Sequence, residues 1–196
     1  MSKSFDITTR GVVINRGGVS EGSARIFFYT EHLGLVGALA KSAREERSKL
    51  RAHLQLGSFG LYTIVHGRTD WRVTGASETK NTHFVLSGKP GQQGAAARLF
   101  GMMRLLVHGE EENAQLFEAL WAFIHALPNL TEREAKVAEY LAMLRILAAL
   151  GYVSPHASIP HLSGSSYSQN VLEETVRHTS KMVKAINEAL FVSNLT

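Results

Sequence analysis

The chemistry this sequence offers first is that of cations placed to meet a polyanion. Residues 35–54 read LVGALAKSAREERSKLRAHL: an apolar run climbs into Lys41 and breaks into a stretch carrying Arg44, Arg47, Lys49 and Arg51. Unpaired Lys and Arg gain nothing from an apolar interior and repel one another, so the cluster must face water or a polyanion. A solvated surface run and a phosphate-gripping loop both satisfy that condition. Glu45 and Glu46 temper the charge and could pair locally with Lys49 or Arg47. A second basic group, Arg68 and Arg72, flanks Trp71 beside a turn at 67–70. Cations next to aromatics hold single-stranded nucleic acid, the first neutralising phosphates and the second stacking on bases. The other aromatic candidates are Phe27, Phe28, Tyr29 and Tyr62. Strand alternation puts Phe27 and Tyr29 on one face and Phe28 on the other, so at least one set belongs to the core. Trp71, between two arginines, is the expected exposed platform.

Enzymatic chemistry finds little to stand on. The chain has no cysteine, which removes disulfides, thiolate nucleophiles and cysteine-based zinc or iron–sulfur sites and suits a reducing cytoplasm. No Gly-x-Ser-x-Gly, His-Glu-x-x-His or Walker pattern occurs, and GKPGQQG at 88–94 has glycines and a lysine in neither the order nor the context of a phosphate loop. Glu110, Glu111 and Glu112 are consecutive, fan outward on a helix rather than converging on a metal, and are expected to open the next helix. No catalytic residue, cofactor or metal is therefore assigned. Arg98 and Arg104 punctuate an apolar stretch, either as its solvent face, the preferred reading, or as receivers of an acidic peptide.

The elements that must position these residues follow from period and punctuation. Strands are expected at 5–15, 25–30, 35–41, 59–66 and 71–80, with turn residues between them and no helix-length crossover, which favours a small barrel or sandwich. Residues 81–94 have a linker composition, and from 95 the period becomes helical. Helices are expected at 95–108, at 113–127 before Pro128, from a Thr131/Glu134 capping box to a Gly151 cap, and at about 171–191. The result is an α+β chain: a nucleic-acid-binding domain over 1–80, a linker over 81–94 and a helical domain over 95–196. Charge follows the same division. Residues 1–80 hold 12 Lys and Arg against 7 Asp and Glu, whereas the remainder holds 9 against 10, so the net charge of +4 belongs to the first part. No apolar run reaches the roughly 18–20 residues of a membrane span and the start lacks a signal-peptide centre, so a cytoplasmic location with no membrane partner is expected.

With those elements in place, residues 20–55 (SEGSARIFFYTEHLGLVGALAKSAREERSKLRAHLQ) resemble the N-terminal signature of the bacterial RecO family: a Ser-Glu turn, a strand ending Phe-Thr-Glu, a glycine, a strand, Ala-Lys-Gly-Ala-Arg and Leu-x-x-x-Leu-Gln. GRTDWRVTGAS at 67–77 is similar to that family's fifth strand and LRILAALGY at 144–152 to the helix end before its central insertion. Ser42 stands where the family has Gly, and Leu56 and Gly57 replace Pro-Phe. Many members carry a four-cysteine zinc site after Leu-Gly-Tyr; here the insertion around 153–168 is short and cysteine-free, and His156 and His161, five apart, do not make a site. The resemblance implies a five-stranded OB-fold followed by helices, in a DNA repair and homologous recombination mediator of the DNA-damage response. It implies binding of single- and double-stranded DNA, strand annealing, contact with the SSB C-terminal tail and action with RecR to load RecA. The DNA-binding residues it favours are Lys41, Arg44, Arg47, Lys49, Arg51, Arg68, Trp71 and Arg72. Two rivals remain: a non-enzymatic interaction scaffold with a degenerate barrel, and an RNA-binding OB module.

Overall fold

The structure, a computed structural model, describes residues 6–18, 23–41, 48–154 and 159–193. It divides into two units, one formed by Met1–Val85 with His108–Glu112 and the other by Leu86–Val107 with Asn113–Thr196. In the first, β1 (Asp6–Gly18), β2 (Ala24–Thr30), β3 (Gly34–Ala40), β4 (Ser58–His66) and β5 (Trp71–Asn81) close into a barrel in the order β1-β2-β3-β5-β4. That is the OB-fold expected from the sequence. β1 is long enough to pair antiparallel with β2 through Gly11–Gly18 and with β4 through Asp6–Val12, a register shift at Val13/Asn15 letting it bend from one to the other. Closure comes from a short parallel contact, Ala38 opposite Trp71 and Leu39 opposite Arg72.

Alternation decides what fills the barrel. Phe28 and Tyr62, both fully buried, stack tilted with centroids 4.6 Å apart among Val13, Ile26, Val36, Ile64 and Val73. The β3–β4 connection closes over this core by burying Leu54, while the Tyr62 hydroxyl donates to the His53 carbonyl at 3.0 Å. Burial penalises the phenolates of Tyr29 and Tyr62, pushing both well above the ordinary value near 10. A folded-state pKa raised above the unfolded one leaves the neutral tyrosines' contribution intact below pH ~10 and erodes it as pH climbs further. Unfolding midpoints in urea should therefore be flat between pH ~8 and 9.5 and fall above pH ~10; a midpoint holding constant to pH ~11.5 would contradict this burial.

A five-residue strap returns to the barrel from between two helices of the other unit. Its Gly109 carbonyl accepts from the Leu35 amide at 3.2 Å, and Gly34, at φ +63°, brings its Cα so close that a Cβ would stand 2.2 Å from the Glu111 carbonyl oxygen. Only glycine serves at such a position. Glu110–Glu112 thus belong to this strap and not to the opening of a helix: the next helix starts at Ala114, capped by Asn113, whose side chain accepts from the Leu116 amide.

The second unit is built around α4 (Glu132–Ala149), with α2 (Pro90–Leu106), α3 (Ala114–Ala126), α5 (Gln169–Val176) and α6 (Thr179–Ser193) packed against it. The capping box at Thr131 and Glu134 forms as expected, and its backbone hydrogen bond holds the Glu134 carboxyl below the usual range. The expected linker is instead largely helical. A short α1 (Thr82–Val85) follows β5 directly, and α2 starts at Pro90, whose missing N–H costs nothing in a first turn. Gly91 lies inside that turn because α4 approaches it: a Cβ there would meet Glu132 Cγ at 2.5 Å. The single helix expected at 171–191 is two, parted at Arg177 and His178. Arg98 is more than a solvent-face residue: its Nε and Nη2 donate to both carboxylate oxygens of Glu139, at 2.6 and 2.7 Å, and so satisfy a buried charge on α4. Arg104 is exposed, as preferred. Among the described residues no helix is long and apolar enough to cross a membrane.

Candidate nucleic-acid interface

Inward packing of Ala24, Ile26, Ala38, Trp71 and Val73 turns their neighbours outward. Arg25 on β2 lies opposite Leu39 on β3, which lies opposite Arg72 on β5, so three strands carry one outward row of cation, aliphatic and cation. Phe27 and Gly37 form the next row. The Phe27 ring lies across the glycine, where an added Cβ would stand 3.1 Å from a ring carbon, and the ring is half-buried. Lys41 follows the last residue of β3 and is exposed. Arg68 is exposed in the adjoining β4–β5 turn, where Gly67 N donates to the Asp70 carbonyl at 2.8 Å.

One carboxylate sits in this field. Asp70 accepts from Arg25 Nη2 at 2.9 Å, and that hydrogen bond, with the nearby charges of Arg25 and Arg72, holds its carboxyl below the usual range. It orients Arg25 and leaves Lys41, Arg68 and Arg72 with no carboxylate partner within ion-pair distance among the described residues. Lys49 and Arg51 are exposed on the β3–β4 connection, a stretch anchored by Leu54 and by a 2.8 Å hydrogen bond from Arg16 to Gln55. Arg44 and Arg47 lie outside the described residues. Lys41, Lys49, Arg51, Arg68 and Arg72 are thus exposed on strand ends and connections, none of them folded into the core.

The expectation for Trp71 is corrected. It is only 9% exposed, packs edge-on against His66 with centroids 4.8 Å apart, and donates its indole N–H to Glu110 at 3.0 Å. A ring so enclosed offers no face to a base. The aromatic that does stand among outward cations is Phe27, and Arg25 beside it had escaped the sequence reading. Alternation from Phe28 inward would have pointed to both.

His161 pairs with Glu174 at 2.7 Å, His156 is outside the described residues, and among those described no group of three or more ligating side chains converges.

A five-stranded OB barrel with an outward cationic face, joined to a helical bundle, defines an OB-fold protein. Comparison with known proteins narrows this. Residues 1–80 match the family described as "Recombination protein O N terminal". Curated proteins named DNA repair protein RecO are similar over a longer stretch. One from Dehalococcoides mccartyi is 27% identical over 137 residues, 68% of this chain and 53% of that protein. Another, from Alkaliphilus metalliredigens, is 26% identical over 121 residues, 62% of this chain and 49% of that protein. The barrel is therefore similar to the N-terminal domain of that family, and the chain is similar to proteins named DNA repair protein RecO. It spans about half the length of the curated relatives it matches.

Proposed function

We propose that this protein binds DNA through the outer face of its barrel and serves DNA repair and recombination. The observation that carries the reading is the outward row of half-buried Arg25 and Leu39 and exposed Arg72, with Lys41 and Arg68 around it, on a barrel similar to the RecO N-terminal domain. Phosphates meet Lys41, Arg68 and Arg72, with Lys49 and Arg51 and, from the sequence, Arg44 and Arg47 extending the track; a base stacks on Phe27. The helical unit recruits partners. Annealing of complementary strands and the loading of RecA onto SSB-coated DNA with RecR are the recombination steps we propose on the strength of the similarity to RecO. No step requires a catalytic residue, so the protein acts as a mediator and not as an enzyme.

Stacking and charge separate in one experiment. Phe27→Ala should weaken single-stranded DNA binding about 5- to 150-fold, the range of one base–aromatic contact, with an unchanged salt slope and little effect on duplex affinity, where bases are not free to stack. Equal loss on both DNAs, or no loss on either, would remove Phe27 from the interface. Competition by single-stranded RNA in the same assay tests the RNA-binding reading, since a 2′-hydroxyl reader prefers RNA. Retention of protein partners with no DNA binding at low salt would favour the scaffold reading.

A further inference from the structure

The outward cations of the barrel have an anion of their own among them. Arg25 and Arg72 face each other across Leu39 on strands about 4.8 Å apart, which sets their Cα atoms roughly 10 Å from each other. The Asp70 carboxylate joins them from the β4–β5 turn. Oδ1 accepts from Arg25 Nη2 at 2.9 Å, Oδ2 accepts from the Thr69 hydroxyl at 3.2 Å, and the Arg72 charge acts on the same group. The Arg25 hydrogen bond, the strongest of these influences, holds the carboxyl below its usual range, so Asp70 is ionised at neutral pH. Arg72 reaches back over the turn, its Nε 3.6 Å from where a Cβ on Gly67 would stand. Guanidinium groups grip carboxylate and phosphate oxygens with the same donor fork, so the one anion can stand in for the other.

Nothing locks this pair. The side chains are open to water, 38% exposed for Arg25 and 41% for Asp70, and ion pairs so placed exchange readily. Among the described residues the Arg25 guanidinium makes this one hydrogen bond, which leaves the rest of its donor fork available. Its Nη1 lies over Gly37, 3.9 Å from a Cβ placed there, on the same bare glycine that the Phe27 ring covers. A nucleotide whose base stacks on Phe27 thus brings its own phosphate beside Arg25. We propose that Asp70 is an internal stand-in for a DNA phosphate: it occupies Arg25 in the free protein, and binding transfers Arg25 from that carboxylate to the phosphate of the nucleotide stacked on Phe27. The exchange rests on the barrel face being the DNA surface. It makes a contact that adds almost nothing to salt dependence, because the phosphate sheds a counterion while the uncovered Asp70 gathers one. Asp70 thereby limits how tightly the backbone is held.

Asp70→Asn removes the charge and keeps an acceptor for Arg25, and the backbone hydrogen bond from Gly67 to residue 70 is untouched. Fluorescence anisotropy with labelled oligothymidylate reads the effect on the intact chain. The slope of log K against log salt should steepen by about 0.7, the share of one single-strand phosphate, and extrapolation from ~1 M to ~0.15 M salt gives binding about fourfold tighter. Asp70→Ser, which removes charge and acceptor together, should do the same. Arg25→Met, which keeps the aliphatic stem and loses the guanidinium, identifies the source of the gain: in that background Asp70→Asn should tighten binding by less than about twofold. An equal gain in both backgrounds would make Asp70 a repulsive charge acting at a distance and overturn the exchange. So would an unchanged slope and affinity in Asp70→Asn and Asp70→Ser. Either result leaves the barrel face as the interface provided that alanine at Lys41, Arg68 and Arg72 flattens the salt slope; if that change also does nothing, the interface falls with the exchange.

Discussion

Replacing Lys41, Arg68 and Arg72 together by alanine should weaken single-stranded DNA binding about fiftyfold at ~0.15 M salt, and should flatten the slope of log K against log salt by about 2. Each phosphate contact on a single strand contributes about 0.7 to that slope, so three contacts account for it, and extrapolating the lost term from ~1 M down to ~0.15 M gives the affinity change. All three side chains are exposed, so stability should move by no more than about 0.5 kcal/mol. Arg25 is left in place because its bond to Asp70 organises the turn. Affinity measured by fluorescence anisotropy at four or more salt concentrations gives both numbers at once. A slope identical to wild type would show that these cations meet no phosphate, and the barrel face would cease to be the interface.

Trp71→Ala should cost about 3–5 kcal/mol, the range for deleting a large buried aromatic. That is a large share of the roughly 5–15 kcal/mol holding a domain together, so urea midpoints followed by circular dichroism will fall steeply. The loss has two origins: a void among Ala38, Ile64 and Val73, and a Glu110 carboxylate deprived of its donor. Trp71→Phe, which keeps an aromatic ring but loses the N–H donor and part of the volume, should cost less, about 1–2 kcal/mol. An alanine variant as stable as wild type but defective in DNA binding would restore the ring to the surface role first expected of it.

The contrast between Trp71 and Thr131 shows what a linear sequence discloses. Thr131 and Glu134 are three residues apart, their hydrogen bonds close within one helical turn, and the motif is readable wherever it stands. The hairpins and the alternating core of β2 and β3 were legible for the same reason, since each rests on neighbours and on a period of two. Trp71 meets its partner 39 residues further on, through a strap whose destination no local pattern announces. Gly91 and Gly94 looked like linker because composition does not reveal that α4 passes against that turn. Arg98 is exposed as expected, but its pairing with Glu139 was not legible because that carboxylate lies 41 positions away. Of the interface, the cations at 41, 49, 51, 68 and 72 were legible as charge, and their exposure follows from it. Phe27 and Arg25 emerge only once the inward residues are known.

The strap also dictates where this protein can be cut. Because Gly109 and Glu110 complete hydrogen bonds of Leu35 and Trp71, a fragment ending at residue 80, the limit of the family match, lacks part of its own barrel. The chain passes between the units at 85/86, 107/108 and 112/113, so no single cleavage yields two whole pieces. A faithful excision of the barrel needs residues 1–85 with the 108–112 peptide restored, fused through a short link or supplied in trans.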